Sequence, residues 1–334
     1  MAELSDQLLS VAIVAYVVAM LLYTAEYAFG SRGAVARAAA RVPRERELVG
    51  AAVGAASAPA PPATGVPGGA GDAPTVGGSG AAMARLFGRA ALAVNALAAL
   101  VHGSVLVTRG LAAGRVPWGN MYEFVIALAF VASVAWLVLV ATRATLRLLG
   151  LFLTLVLSIV LGFADLVLTT EAAPLVPALN SYWLKIHVSA AATASGLLLV
   201  GFVPAALFLV RSGYERGKRS FPFTLGAKLP ASGTLERLTF RLHAFAFPIW
   251  TFAIICGAIW AEAAWGRYWG WDPKEIWSFV SWVAYAAYLH ARATPSMKRT
   301  TATWFAVAAW GTMLVNLYVI NFVAVGLHSY AGVE

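Results

Sequence analysis

Eight runs of apolar residues constrain this chain more than any other feature, because a hydrocarbon core of about 30 Å takes roughly 20 helical residues at about 1.5 Å each. They lie at about Leu8–Gly30, Leu86–Leu106, Met121–Ala141, Leu148–Leu168, Ile186–Val210, Ala244–Ala264, Ile276–Arg292 and Trp304–Leu327. The seventh is short and rich in Trp and Tyr. Backbone polar groups in lipid must be satisfied by the segment that carries them. The expected fold is therefore an all-α integral membrane protein of about eight transmembrane helices. Composition agrees: 60% of the 334 residues are hydrophobic and 12% are charged, which excludes an ordinary soluble domain.

The formal charge of +9 would suggest nucleic acid if the basic residues formed a patch, but they sit between the apolar spans. Cytoplasmic connections carry the excess of Lys and Arg. With the N-terminus and C-terminus outside, 19 of the 24 basic residues fall inside, and only Arg109, Arg115, Lys185, Arg267 and Lys274 fall outside. The charge thus reports topology in a bacterial cytoplasmic membrane, and no nucleic-acid partner is expected. The segment MAELSDQ carries acid ahead of the first apolar run and no convincing cleavage site follows, so the first span is expected to be retained.

Three units follow. Residues 1–30 are the first transmembrane helix, and 83–334 form a seven-helix unit. Residues 31–82, with PAPPATGVPGGAG at their centre, are too poor in large apolar side chains to pack and read as a flexible cytoplasmic linker. The single cysteine, Cys256, excludes an internal disulfide and a CxxC site.

The most informative segment is WAEAAWGRYWGWDPKEIWS, from Trp260 to Ser278, placed outside between the sixth and seventh spans. With Trp282 just beyond, it holds six tryptophans: Trp260, Trp265, Trp269, Trp271, Trp277 and Trp282. An interfacial aromatic belt explains one or two such rings. A cluster interleaved with Gly266, Gly270, Asp272, Pro273, Lys274 and Glu275 makes instead a flat apolar surface with a polar edge. Such a surface suits a large planar amphipathic ligand.

WGRYWGWDPKEIWS resembles the Trp-rich WWD motif of the haem-handling superfamily, and its DPKE continuation resembles the CcsA (ResC) branch, labelled CcsB in actinobacteria. VPWGNMYEF, SYWLKIHV, YLHAR and GLHSYA are similar to further segments of that family. The resemblance covers about Leu86 to the C-terminus. It implies a role in system II cytochrome c maturation as a holocytochrome c synthase (haem-lyase) type enzyme acting with a ResB/CcsB-type membrane partner. Haem b, iron protoporphyrin IX, would be moved outward and its vinyl groups joined to the CxxCH thiols of apocytochrome c.

By the same resemblance, His187 and His328 are the external axial ligands of haem iron, and His290 serves an inner membrane site whose opposing ligand the partner supplies. Trp265, Trp269, Trp271, Asp272, Trp277 and Arg267 belong to the loop that holds the macrocycle. Hydropathy independently places His187 and His328 at the outer ends of their spans, level with that loop. The two haem propionates need cations, for which Arg267, Arg109, Arg115 and Lys274 are candidates, with Arg the better geometric match. Asp272 and Glu275 are expected to bond backbone amides or Lys274. His243 reads as a solvated interfacial residue beside Arg241, or else as a second inner ligand. His102 reads as a hydrogen-bonded packing histidine, or else as an aid to the outer site.

Two other readings stay open: a haem exporter without catalysis, which shares every residue, and a bis-histidine haem b electron carrier, which would face its histidines deep between helices. Because loop-closure entropy changes slowly with length, shortening Ser31–Ala82 by about thirty residues is expected to leave cytochrome c assembly close to that of the full chain. Loss of assembly in the deletion strain would show that the segment docks.

Overall fold

The computed structural model describes residues 1–54, 78–175, 180–324 and 326–328, with backbone alone over 30–54 and 78–79. Among the described residues eight long helices run alternately up and down: α1 Ala2–Gly54, α2 Gly78–Ala113, α3 Met121–Thr142, α4 Gly150–Val167, α5 Tyr182–Glu215, α6 Ser232–Trp265, α7 Pro273–Ala293 and α8 Arg299–Leu314. A 3₁₀ turn, Ala144–Leu149, joins α3 to α4, where the sequence carries Arg143 and Arg147. α8 continues through a π-helical stretch, Val315–Val319, into a last turn at Ile320–Val323. The centre of the expected linker, residues 55–77, lies outside the described residues.

Among the described residues, seven helices are long and apolar enough to cross a membrane; the eight expected spans include one, α7, that is not. The reason is its bonding. Trp282 Nε1 donates to Thr251 Oγ1 on α6 at 2.9 Å, and Thr312 on α8 donates to Ser281 at 3.0 Å, so α7 uses polar side chains against both neighbours. It nonetheless runs the length of the bundle. Its first turn lies at the Trp-rich loop, while Arg292 in its last turn donates to Glu236 in the first turns of α6 at 3.1 Å. The N-terminal end of α1 and the end of α8 lie at the same end of the bundle: Tyr122 donates to Asp6 at 3.4 Å, and Asn321 contacts the neighbouring Met121 Sδ at 2.9 Å.

α1 and α2 pair along a seam that hydropathy alone does not reveal. Leu9, Ala12, Tyr16, Ala19, Tyr23 and Glu26 on α1 are buried at alternating spacings of three and four, as are Ala91, Asn95, Ala98, His102, Val105 and Arg109 on α2. This is the repeat of a left-handed helix pair, with alanines permitting close approach. The outward residues Leu97, Leu100 and Val107 are exposed. Polarity therefore sits inside the seam, where Tyr16 Oη meets His102 Nδ1 at 3.3 Å. His102 is wholly buried in this seam against Tyr16 and Phe130. α3 stands centrally against α2, α4 and α5, and α5 pairs with α6 and α7 with α8.

One buried charge cluster fixes the loop end. Glu123, wholly buried, faces Arg109 Nε at 3.2 Å and Arg115 Nη1 at 2.7 Å and accepts the Gly119 amide at 2.7 Å. Arg115 also donates to the Ala173 carbonyl at 3.0 Å, so the cluster ties the α2–α3 connection to the chain following α4. Breaking a buried pair strands a charge and costs about 3–5 kcal/mol. Glu123→Leu is therefore expected to lower stability by about 3 kcal/mol or more, read as a fall in melting temperature in detergent, whereas Glu171→Leu, at an exposed position, should leave it within about 0.5 kcal/mol.

Candidate functional site

At the loop end, α3, α5, α6, α7 and α8 enclose a cavity of about 220 Å³. Its wall is mostly apolar and aromatic, with Trp118, Trp250, Trp260, Trp265, Trp269 and Trp310 among the lining residues. The polar residues of the lining include His187, His328, Lys274, Glu275 and Asn316.

His187 stands in the second turn of α5, after Ser181 caps the helix by accepting the Trp183 amide. Its Nδ1 lies 2.8 Å from the Ala253 carbonyl, which can only accept, so Nδ1 carries the proton and Nε2 keeps its lone pair. The ring lies nearly parallel to Trp260, 9° between planes with centroids 6.1 Å apart. Gly257 makes the room: a Cβ there would stand 2.8 Å from the imidazole.

His328 approaches from beyond α8. Its Nδ1 lies 2.8 Å from Asp272 Oδ2, and its ring meets Trp260 and Trp265 edge-on at 6.0 and 5.0 Å. Both imidazoles thus contact one indole. Each commits Nδ1 to an oxygen acceptor, which is how metal-ligating histidines fix their tautomer and orientation.

Asp272 does more than the amide-bonding expected of it. It caps α7, accepting the Lys274 amide at 3.2 Å in a capping box with Glu275. It also accepts the Leu327 amide at 2.7 Å while holding His328. Burial raises the carboxyl, but the His328 bond and the two amide bonds outweigh it and hold it below the ordinary carboxylate range. Glu275 accepts the amides of Gly270 and Asp272 at 2.8 and 3.0 Å, clamping the residue between them. That residue, Trp271, sits at φ 59°, a left-handed conformation costly for a bulky side chain.

The structure divides the other expected residues. Trp265 and Trp269 line the cavity, and Trp260 joins them as the ring shared by both histidines. Trp271 is 65% exposed and packs edge-on against the outside of Trp269, and neither it nor Trp277 belongs to the cavity lining. Arg109 and Arg115 are spent on Glu123, and Arg267 lies across Gly270, where only a residue without Cβ admits it. Of the four cations, Lys274 alone lines the cavity.

At the far end, His290 is exposed on the last turn of α7. His243 corrects the expectation of a solvated interfacial residue: it is wholly buried, donates Nδ1–H to the Thr239 carbonyl at 2.7 Å, and packs against Tyr285 and Tyr288. The cause is Gly201, whose missing Cβ lets α5 close over the imidazole. Tyr288 faces His243, so His290, two residues and about 200° further round α7, faces away from it.

The family model for the cytochrome C assembly protein matches residues 118–328, the stretch that runs from Trp118 on the cavity wall to His328. The chain belongs to the cytochrome c assembly family. It is similar to the cytochrome c biogenesis protein CcsA of Guillardia theta, 35% identical over 250 residues covering 70% of this chain and 83% of the relative. The CcsA proteins of Microcystis aeruginosa and Porphyra purpurea are 33% and 32% identical, covering 70% and 71% of this chain and 85% and 88% of the relatives. The protein is thus a multi-pass membrane member of a family that serves cytochrome c biogenesis.

No sequence signal pointed to the Asp272–His328 pair, which joins residues 56 positions apart. A carboxyl held low contributes stability that is present above its unfolded value and lost as pH falls through the folded one. Asp272→Asn keeps a competent cap, so the wild type is expected to be more stable by about 1–2 kcal/mol at pH 7. That advantage should vanish as acid protonates Asp272. Melting curves of both proteins between neutral and strongly acid pH check this; a difference that persists unchanged in acid would refute it.

Proposed function

We propose that this chain holds haem b in the loop-end cavity with His187 and His328 as axial ligands and presents it for covalent attachment to apocytochrome c on the outer face of a bacterial cytoplasmic membrane. The observation that carries the reading is the pair of imidazoles on one aromatic-walled cavity, each oriented by a hydrogen bond between Nδ1 and an oxygen acceptor. Two neutral imidazoles on opposite faces suit haem iron. Trp260, Trp265 and Trp269 offer apolar surface to the macrocycle. The outward orientation is supported by the basic residues that cluster in the connections at the opposite end, from Arg143 to Arg147, Arg211 to Arg241 and Arg292 to Arg299.

Bound haem supplies two vinyl groups, across each of which a CxxCH thiol adds, sulfur to one carbon and hydrogen to the other, with no atom lost. The chain's residues hold, orient and exclude water, and proximity accounts for much of the acceleration. The two ligands are unequally held. His187 is fixed on a long helix beneath Gly257, whereas His328 lies past the end of α8 and is oriented through Asp272. His328 is therefore the ligand that the histidine of the incoming peptide displaces, and that exchange releases the product. His290, exposed and turned from His243, serves the inner site together with a ligand from a ResB/CcsB-type partner.

His187→Ala and His328→Ala are each expected to abolish cytochrome c assembly while inserting at the wild-type level, with added imidazole restoring part of it. Assembly near the wild-type level in either variant would remove the axial pair. Purified chain and partner, given reduced haem and apocytochrome, separate synthase from exporter: thioether-bound product is expected, and haem transfer without it would favour export alone.

A further inference from the structure

The cavity is so apolar that its few unsatisfied polar atoms stand out. Among the described residues Lys274 Nζ makes one hydrogen bond, to the Asn316 carbonyl at 2.9 Å, and an ammonium carries three N–H donors. That carbonyl lies in the π-helical stretch Val315–Val319, a rare geometry that accompanies functional sites. The Asn316 side chain lines the same cavity, and its Oδ1 is buried without a hydrogen-bond partner among the described residues. A buried polar atom left unbonded is costly. A half-turn of the amide exchanges Oδ1 for Nδ2, so Asn316 can equally present a donor. Arg109, Arg115 and Arg267 do not line the cavity, and Glu275, which does, spends its carboxylate on the Gly270 and Asp272 amides, so Lys274 is the lining cation that can meet an anion.

We propose that Lys274 and Asn316 form a carboxylate subsite within the cavity, which receives one propionate of the porphyrin and so fixes which edge of the ring turns outward. The inference rests on the haem reading above and adds the group that sets the orientation of the ring. A carboxylate there accepts from Lys274 Nζ and the Asn316 amide. The Asp272 carboxylate, capping the same turn, accepts from two amides and His328; its charge favours the protonated amine of Lys274, with no ion pair between them among the described residues.

The test compares iron protoporphyrin IX with its dimethyl ester, in which both propionates are uncharged, by absorbance titration of the purified full-length protein in detergent. The wild type is expected to bind the free acid at least about tenfold tighter than the ester, as a charge-assisted pair implies. Lys274→Met should abolish that preference while ester affinity and the bis-histidine spectrum stay unchanged; Lys274→Arg should retain it, and Asn316→Leu should reduce it. Equal discrimination in wild type and Lys274→Met would overturn the subsite and leave the haem reading standing. Equal loss of both ligands in Lys274→Met would also overturn it, marking Lys274 as structural. If the wild type binds neither form, the haem reading itself fails and the subsite with it.

Discussion

A helix in lipid has to satisfy its own backbone, and irregular chain is tolerated only where protein or a cavity covers it. The rest of this architecture follows from that constraint. The helices alternate, the connections gather at two ends, and the groups available for chemistry lie at the ends or inside the bundle. The loop between α6 and α7 is irregular backbone beside a cavity, and it holds its shape because two carboxylates take up its amides. Glu275 clamps the chain on both sides of Trp271, and Asp272 caps α7 while reaching the far end of α8. Without those acceptors the turn could not hold a tryptophan at φ 59°.

The same two acids explain which parts of the site were legible in the sequence. Helix number and the placement of His187 and His328 at the ends of their spans follow from hydropathy and charge, because lipid imposes them on every segment. Helix limits do not: α2 begins eight residues before the expected Leu86 and ends seven past Leu106, since the hydrocarbon criterion counts only the apolar part. Pairings between distant segments are equally hidden. Nothing local marks Asp272 as the partner of His328, Trp260 as a ring that meets both imidazoles, or Gly257 and Gly201 as the gaps that admit His187 and His243. Trp271 carries the composition of a ligand-binding ring, yet the φ forced by its clamped neighbours turns it outward.

The polar seam of α1 and α2 shows the converse failure. Both helices are apolar enough all round that hydropathy gives no face, so the buried residues declare themselves only by spacing: Asn95, His102 and Arg109 recur every seven. In water such a repeat would be read from its apolar members. Here lipid covers Leu97, Leu100 and Val107, and the polar members are the informative ones, because they have nowhere else to go.

α7 brings these arguments together. It is the least apolar of the crossing helices because it bonds through side chains to α6 and α8, and because both of its ends are engaged. Its first residue follows Asp272, which holds His328; its last turn carries His290 on the outside and Arg292 paired to Glu236. A rigid helix with its N-cap at one histidine site and an exposed histidine at the other fixes their separation at about 1.5 Å per residue, whatever the surrounding loops do. His290 gains from exposure what His243 has lost to burial, access from outside the chain. Under the proposed reading, an inner ligand shared with a second protein fits that outer face of α7 better than the pocket beneath Gly201.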